Sequence, residues 1–494
     1  MISFIDNLLN RITMYRLVLY YLVALIFAAF VFGFLGILPY DPTAIAFSTL
    51  LVTAVCWATN WIFARVFNVQ TNVESVYITA LILALIITPV TAASSTGVGF
   101  LIFAGVWSMA SKYLFALGQK HIFNPAAFAV ALSAVVINQP ATWWVGGNLA
   151  LLPIVLAGGL LVVRKLRRFD LVGAFALAAF ATILATTTSA DYVTPIVQTL
   201  LHSSFFFLAF VMLTEPLTTP PTTLLRVCYG ALVGFLFAPN IHVGGLYLTP
   251  ELALLIGNVF AYVVSPKGRH ILTLTAIEQS AKDVYDYVFT PEREFAFSPG
   301  QYLEWTLGHR YPDNRGNRRY FTIASSPTEP QVRLGVKFYN PASSFKRALA
   351  AMPVGGTLSA SHLSGGFVLP KNKEKKLVFI AGGIGVTPFR SMVQYLLDTK
   401  ERRNIVMLYS NRGTEDIAYK NLFDRAQAEL GIKTVYQTGT LIDAATIVRE
   451  VPDYRERTFY ISGPRGMVDA FKKTLTGMGV SRFKIKTDFF PGFA

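Results

Sequence analysis

Ten apolar runs fill the first 265 residues of this 494-residue chain, and no other feature limits its fold so strongly. A helix that crosses a bilayer needs about 20 mostly apolar residues, fewer where it is half-buried in protein. The runs lie at 14–38, 43–66, 74–93, 97–117, 124–138, 148–164, 170–188, 197–213, 223–240 and 248–265. The first is too long for a signal-peptide core and others follow it, so no cleaved leader is expected. Lys and Arg mark cytoplasmic loops. Arg11 and Arg16 precede the first run, Arg65 closes the second, and Lys112 and Lys120 follow the fourth. Arg164, Lys165, Arg167 and Arg168 follow the sixth, Arg226 opens the ninth, and Lys267 and Arg269 follow the tenth. The odd-numbered turns contain no Lys or Arg. Ten spans in an inner (plasma) membrane, with both termini and the back half cytoplasmic, satisfy this pattern.

Composition agrees. The chain is 53% hydrophobic and 14% charged, against about 25% charged in an ordinary soluble domain. A fully soluble, disordered or fibrous protein is excluded. The formal net charge of +15 is not a nucleic-acid footprint, because it is concentrated in the back half. Residues 1–265 carry ten Lys and Arg against seven Asp and Glu, the remainder 33 against 21. The two cysteines, Cys56 and Cys228, sit in apolar runs and form no CxxC. A disulfide framework, a thiolate zinc site and an iron–sulfur cluster are therefore not expected, and no metal site is assigned.

Polar residues inside a membrane are costly and tend to be functional. Three runs stand out: Lys120-His121-Ile122-Phe123-Asn124-Pro125, Thr214-Glu215-Pro216-Leu217-Thr218-Thr219-Pro220, and Thr186-Thr187-Thr188-Ser189-Ala190-Asp191. The first two put Asn-Pro or Glu-Pro at a boundary where Pro suits a helix start. Such broken ends are typical of inverted-repeat transporter folds. Helix caps and turns account for all three runs equally well. The segments "GQKHIFNPAAFAVAL" and "FVMLTEPLTTPP" resemble the membrane subunits of the sodium-translocating NADH:quinone reductase (B subunit) and the Rnf complex (D subunit). That resemblance covers roughly residues 14–265 and implies a ten-helix, urea-transporter-like bundle carrying flavins. In the family one FMN is esterified to Thr in a Ser/Asp-Gly-Ala-Thr motif, which this chain lacks. A non-covalent FMN or riboflavin is expected instead. Asn124 and Glu215 are the candidates to hold it, and the run around Thr187 marks a second site near the outer face.

Beyond this region apolar runs shorten and alternate with polar residues, as strands do. The expected domains are a membrane domain at 1–266, an antiparallel β-barrel at 267–370 and a doubly wound α/β domain at 371–494, the last with, among others, helices over 415–430 and 465–477 and a strand Thr458–Ser462. Four motifs carry chemistry. Arg319-Tyr320-Phe321-Thr322 follows Pro299-Gly300-Gln301-Tyr302. An Arg can clamp a diphosphate, an aromatic can stack on a flat ring, and a Thr can hydrogen-bond a ring nitrogen. Lys337, followed by Ser343-Ser344 opening a short helix, suits phosphate. The strand Leu377–Ala381 runs into Gly382-Gly383-Ile384-Gly385-Val386-Thr387-Pro388. There glycines allow close approach of a pyrophosphate, and Thr387 is expected to cap a helix with Pro388 in its first turn. Ser462-Gly463-Pro464 ends a further strand and would face a nicotinamide. Together these resemble the ferredoxin–NADP reductase superfamily across 268–494. The resemblance implies FAD and NAD(P)H, with Arg319 on the FAD diphosphate, Phe321 in place of the stacking Tyr, Thr322 near flavin N5 and Phe490 in an aromatic tail. Ser462 replaces the family's cysteine. Arg412, at the end of the second strand of the sheet, is either the contact for a 2′-phosphate, if the donor is NADPH, or a solvated loop charge.

The expectation is a membrane-bound flavoprotein oxidoreductase. It passes electrons from cytoplasmic NAD(P)H through FAD to a membrane flavin, and on to a quinone or an extracytoplasmic acceptor, with ion pumping as an option. One alternative is a haem-containing ferric reductase or oxidase, which needs paired axial histidines. The membrane half has only His121, His202 and His242. The other is a solute or ion transporter with a regulatory reductase domain.

Overall fold

The computed structural model describes residues 5, 9, 12–67, 73–117, 120–188, 191–265, 269–310, 313 and 316–488. The chain divides into two compact units, Met1–Lys267 and Gly268–Ala494.

The first unit is helical and of membrane type. Local chemistry starts its helices. Thr13, Asp41, Ser94, Asn124, Thr222 and Thr249 each cap a helix by accepting a backbone N–H with their side chains. Pro follows the cap in three of these helices, Pro42–Val66, Pro125–Val136 and Pro250–Val264, where its missing N–H is not needed. Phe27, Leu50, Leu177, Leu224 and Val263 are exposed on the outside, as a lipid-facing surface requires. Of the ten expected spans, only Met14–Phe34, Pro42–Val66, Ser95–Leu114 and Phe169–Thr186 have the length and apolarity of a crossing helix among the described residues. A fifth arises if Val193–His202 and Phe205–Met212, bent by 62°, form one span. The remaining helices run 12 to 15 residues, about 18–23 Å at 1.5 Å per residue. Apolarity overstates helix length because some apolar backbone leaves the helix and is satisfied inside the protein. The N–H groups of Thr142 and Trp143 donate to Ile86 O at 3.0 and 2.9 Å, and Val90 N donates to Ser48 Oγ at 2.8 Å.

Small residues bring backbones together here. A Cβ on Gly230 would lie 2.5 Å from Leu171 O, and one on Gly234 would overlap Phe175 O. Helix Thr223–Phe237 thus seats on Phe169–Thr186 through a small-xxx-small stripe. Gly234→Leu should prevent that seating. The expected result is little monodisperse protein in detergent on size-exclusion chromatography, whereas the same change at Gly173, whose Cβ would meet nothing within 4 Å, leaves the yield near wild type.

The second unit opens with a six-stranded antiparallel half-barrel of order β8-β7-β10-β5-β6-β9. These are β5 His270–Ala281, β6 Val284–Pro291, β7 Tyr302–Thr306, β8 Arg318–Thr322, β9 Val332–Lys337 and β10 Thr357–Ser364; β1–β4 are two-residue strands of the first unit. Trp305, Phe289, Leu303, Leu334 and Phe345 form its core. A parallel sheet of order β13-β12-β11-β14-β15 follows, from β11 Leu377–Gly382, β12 Ile405–Asn411, β13 Lys433–Thr438, β14 Thr458–Ser462 and β15 Ile485–Thr487. The chain enters at the centre and winds outward both ways, so the order reverses between β11 and β14, where doubly wound sheets bind ligands. Two local expectations need correction. Helix Thr387–Asp398 begins at Thr387 itself after a 3₁₀ turn Gly383–Val386, and its N-cap is Val386 without a side-chain bond. Thr387 Oγ1 donates to Ile384 O at 3.3 Å. The helix expected over 415–430 begins at Lys420, because Tyr419 adopts φ +60° and breaks it from the short turn Thr414–Asp416.

Candidate flavin and nucleotide sites

Strand β8 pairs with β7 so that Trp305 opposes Arg319 and Tyr302 opposes Thr322. Alternation then sorts the motif onto two faces. Arg319 and Phe321 share the face that meets Phe345: the guanidinium lies 5.4 Å from the Phe345 ring and the two Phe rings are 5.9 Å apart. Arg319 is buried and ion-paired with Asp313 at 3.0 Å. Its other amine donates to the carbonyls of Gly316 at 2.9 Å and Arg318 at 2.7 Å. Tyr320 and Thr322 take the opposite face. The Tyr320 hydroxyl donates to buried Glu304 at 2.6 Å. Burial would raise the Glu304 pKa, but the charges of His362 and Arg318 and the Tyr320 bond outweigh it and hold the carboxyl below its ordinary range.

Thr322 Oγ1 and Ser462 Oγ both donate to Asp488 Oδ2 at 3.3 Å. One carboxylate therefore ties the end of β8 to the end of β14. Sequence reasoning did not single out Asp488. The signal was its place beside the aromatic tail, two residues before Phe490, which lies outside the described residues.

The two glycine loops also meet. Ala381 and Ser462 are register partners on adjacent parallel strands. A Cβ on Gly385 would lie 2.5 Å from both N and Cα of Gly463, and one on Gly382 would overlap Met467 Sδ. Gly383 has φ +52° and open space around it, so its conformation rather than its size asks for glycine. Pro464 is the N-cap of helix Arg465–Gly477 and Pro388 lies in the first turn of its helix. Arg412 is exposed just past β12. Lys337 is committed to Asp416 at 2.7 Å, a hydrogen bond that lowers the Asp416 pKa. Ser343 caps Ser344–Ala350 by accepting Lys346 N–H.

In the membrane-type unit the first two polar runs come together. Asn124 is buried, donates from its backbone to Asn258 Oδ1 at 2.8 Å and from Nδ2 to Glu215 Oε2 at 2.9 Å. Glu215 Oε1 lies 3.1 Å from His121 Nε2, and Thr218 Oγ1 donates to Oε2 at 3.2 Å. Asn258 continues the chain to Tyr229 Oη at 3.1 Å. A cavity of about 60 Å³ adjoins this cluster, lined among others by Tyr15, Thr79, Val211, Thr214, Asn124 and Glu215. Pro216, unlike Pro125, starts no helix; the next begins at Thr223. Thr187 is not part of the cavity wall. Its hydroxyl donates to Ile183 O at 2.7 Å, closing the end of helix Phe169–Thr186.

Comparison with known proteins gives two family matches: the NQR2, RnfD, RnfE family over residues 144–267 and the oxidoreductase NAD-binding domain over 379–473. A flavohemoprotein of Candida albicans is 33% identical over 168 residues, 32% of this chain and 41% of its own. A flavohemoprotein of Pseudomonas putida is 26% identical over 239 residues, 45% and 59% of the two chains. The glycine betaine monooxygenase reductase subunit of Pseudomonas aeruginosa is 25% identical over 240 residues, 43% and 62%. The chain thus matches 41% to 62% of these relatives' own length. One polypeptide thus carries a stretch similar to the NQR2, RnfD, RnfE family followed by a stretch similar to an oxidoreductase NAD-binding domain.

Proposed function

We propose that this protein is an NAD(P)H-dependent flavin oxidoreductase of the inner (plasma) membrane, crossing it ten times with both termini and the reductase unit cytoplasmic. Electrons from NAD(P)H pass through FAD to a second flavin, FMN or riboflavin, and on to a quinone or an extracytoplasmic acceptor. The observation that carries this is the Asp488 bridge. It brings the hydroxyl of Thr322, at the end of the FAD-type strand, to the hydroxyl of Ser462, at the end of a nucleotide-type strand.

The residues suit FAD. A guanidinium and a backbone amide already hold a carboxylate between them at Asp313, and the same donors suit a phosphate. FAD, when bound, supplies hydride acceptance and single-electron release. Arg319 neutralises the diphosphate, Phe321 offers a half-exposed ring, and Thr322, oriented by Asp488, offers a hydroxyl to a ring nitrogen. The loops at 382–388 and 462–464 hold the dinucleotide, Ser462 faces the nicotinamide, and Arg412 meets any 2′-phosphate. About 30 Å of hydrocarbon separates the two sides of the membrane, so an outward path needs a mediator. Asn124 and Glu215, at the wall of the cavity, are the groups to orient it, with Thr187 marking a second position. The basic turns support a reductase on the NAD(P)H side.

Acid extraction and chromatography of the purified full chain test this reading. One FAD and one FMN or riboflavin per chain are expected. A single flavin per chain rejects the membrane flavin, and a haem Soret band favours the oxidase-like alternative.

A further inference from the structure

Asp313 holds, with its two carboxylate oxygens, two donors that are otherwise suited to phosphate. Oδ1 accepts from Arg319 Nη2 at 3.0 Å and Oδ2 from the Ser344 amide at 3.0 Å. The contact is returned: the Asp313 amide donates to Ser344 Oγ at 2.9 Å, and that hydroxyl also meets His309 Nε2 at 3.0 Å. His309 Nδ1 in turn lies 2.8 Å from Leu307 O. A protonated Nδ1 leaves Nε2 to accept the Ser344 hydroxyl, so each atom of the clamp has a compatible role. Arg319 is 8% exposed at its side chain and Asp313 30%. The cation is thus fixed in the protein, whereas its partner carboxylate sits nearer the surface.

We propose that Asp313 is a built-in competitor of the FAD diphosphate, so that FAD binds by exchange: the diphosphate takes Arg319 as the Asp313 carboxylate leaves it. This rests on Arg319 being the diphosphate residue. A guanidinium has five donors, and those of Nη1 and Nη2 in Arg319 already reach the carbonyls of Gly316 and Arg318 and the carboxylate of Asp313. Two anions on one guanidinium repel each other. FAD affinity is then lowered by the fraction of chains in which Asp313 holds Arg319. Asp313 is a positioning residue in this scheme and takes no part in electron transfer.

The test is equilibrium dialysis of flavin-stripped full chain in detergent against graded FAD, with bound FAD quantified by chromatography so that FMN and riboflavin do not contribute. Asp313→Asn keeps the shape and removes the charge. It should bind FAD about tenfold more tightly than wild type, the scale of one charge-assisted hydrogen bond. Asp313→Ser should do likewise, which guards against a folding defect peculiar to one variant. On an Arg319→Ala background Asp313→Asn should change nothing, because the effect passes through the guanidinium. Unchanged or weaker FAD binding in both single variants, with wild type binding FAD, overturns the competitor role alone. Tighter binding that persists without Arg319 also overturns it. No FAD bound by wild type or by either variant overturns the FAD assignment itself.

Discussion

Arg319→Ala should yield a folded protein that purifies with little or no FAD. Arg319 is buried, and its guanidinium is the one charged group on the β8 face that meets Phe345. Removing one partner of a desolvated charged contact costs about 2–5 kcal/mol, which is roughly 30-fold to several-thousandfold in affinity. FAD held at nanomolar strength would then be lost on a column. The same change leaves Asp313 without its cation, so thermal stability should fall as well. Chromatography of extracted flavin checks the first effect and a melting curve in detergent the second. Any FMN or riboflavin in the membrane-type unit should stay. Full retention of FAD would remove Arg319 from the diphosphate site.

Gly385→Val should leave FAD in place and cripple reduction by NAD(P)H. Its Cβ would stand 2.5 Å from the backbone of Gly463, and backbone cannot rotate away as a side chain can. The β11 and β14 loops must separate, and a misplacement of about 1 Å at a reacting pair costs on the order of 100-fold. Overpacking adds about 1–3 kcal/mol of destabilisation. The readout is kcat/KM for NADH and NADPH with ferricyanide as acceptor, alongside flavin content. Activity within a few fold of wild type would mean that the two loops do not jointly hold the dinucleotide. The same substitution at Gly439, where φ is +73° but nothing lies within 4 Å, tests for backbone strain without a clash.

The second unit was the more readable of the two, for physical reasons. Its strands are short buried runs closed by glycine or polar turns: strand Thr458–Ser462 and helix 465–477 fall where alternation and turn residues put them. The misses there are local backbone choices. A left-handed Tyr419 is not a glycine or asparagine, so nothing in the sequence marks the break it makes. Thr387 carries the composition of a cap yet sits one residue inside the helix, since the 3₁₀ turn before it supplies the entry. In the first unit, hydropathy alone cannot separate a helix from apolar backbone bonded to a neighbour, as at Val90, which lies in the run 74–93 but beyond helix Val73–Ile86 and donates its N–H to Ser48. The meeting of Asn124 with Glu215 rested on motif resemblance; that Asn258 completes the cluster could not be read, because a buried Asn in the middle of an apolar helix announces only that it has some partner. Asp488 escaped for the opposite reason: a carboxylate near the end of a chain looks like surface.

The Asn124 cluster has a consequence for synthesis. The helix that starts at Pro125 begins in buried protein, and the amide before it is satisfied by Asn258, 134 residues later. Glu215, which takes the Asn124 side chain, comes 91 residues later. At about 5–20 residues per second, the ribosome needs roughly 7–27 s to deliver Asn258. During that interval Asn124 Oδ1 can already cap the helix through Ala127, but the Asn124 backbone amide and side-chain amide lack these later partners, and the hydrocarbon offers no replacement. The buried cluster therefore closes only once helix Pro250–Val264 has been made, so that the order of assembly in this unit is not the order of the sequence.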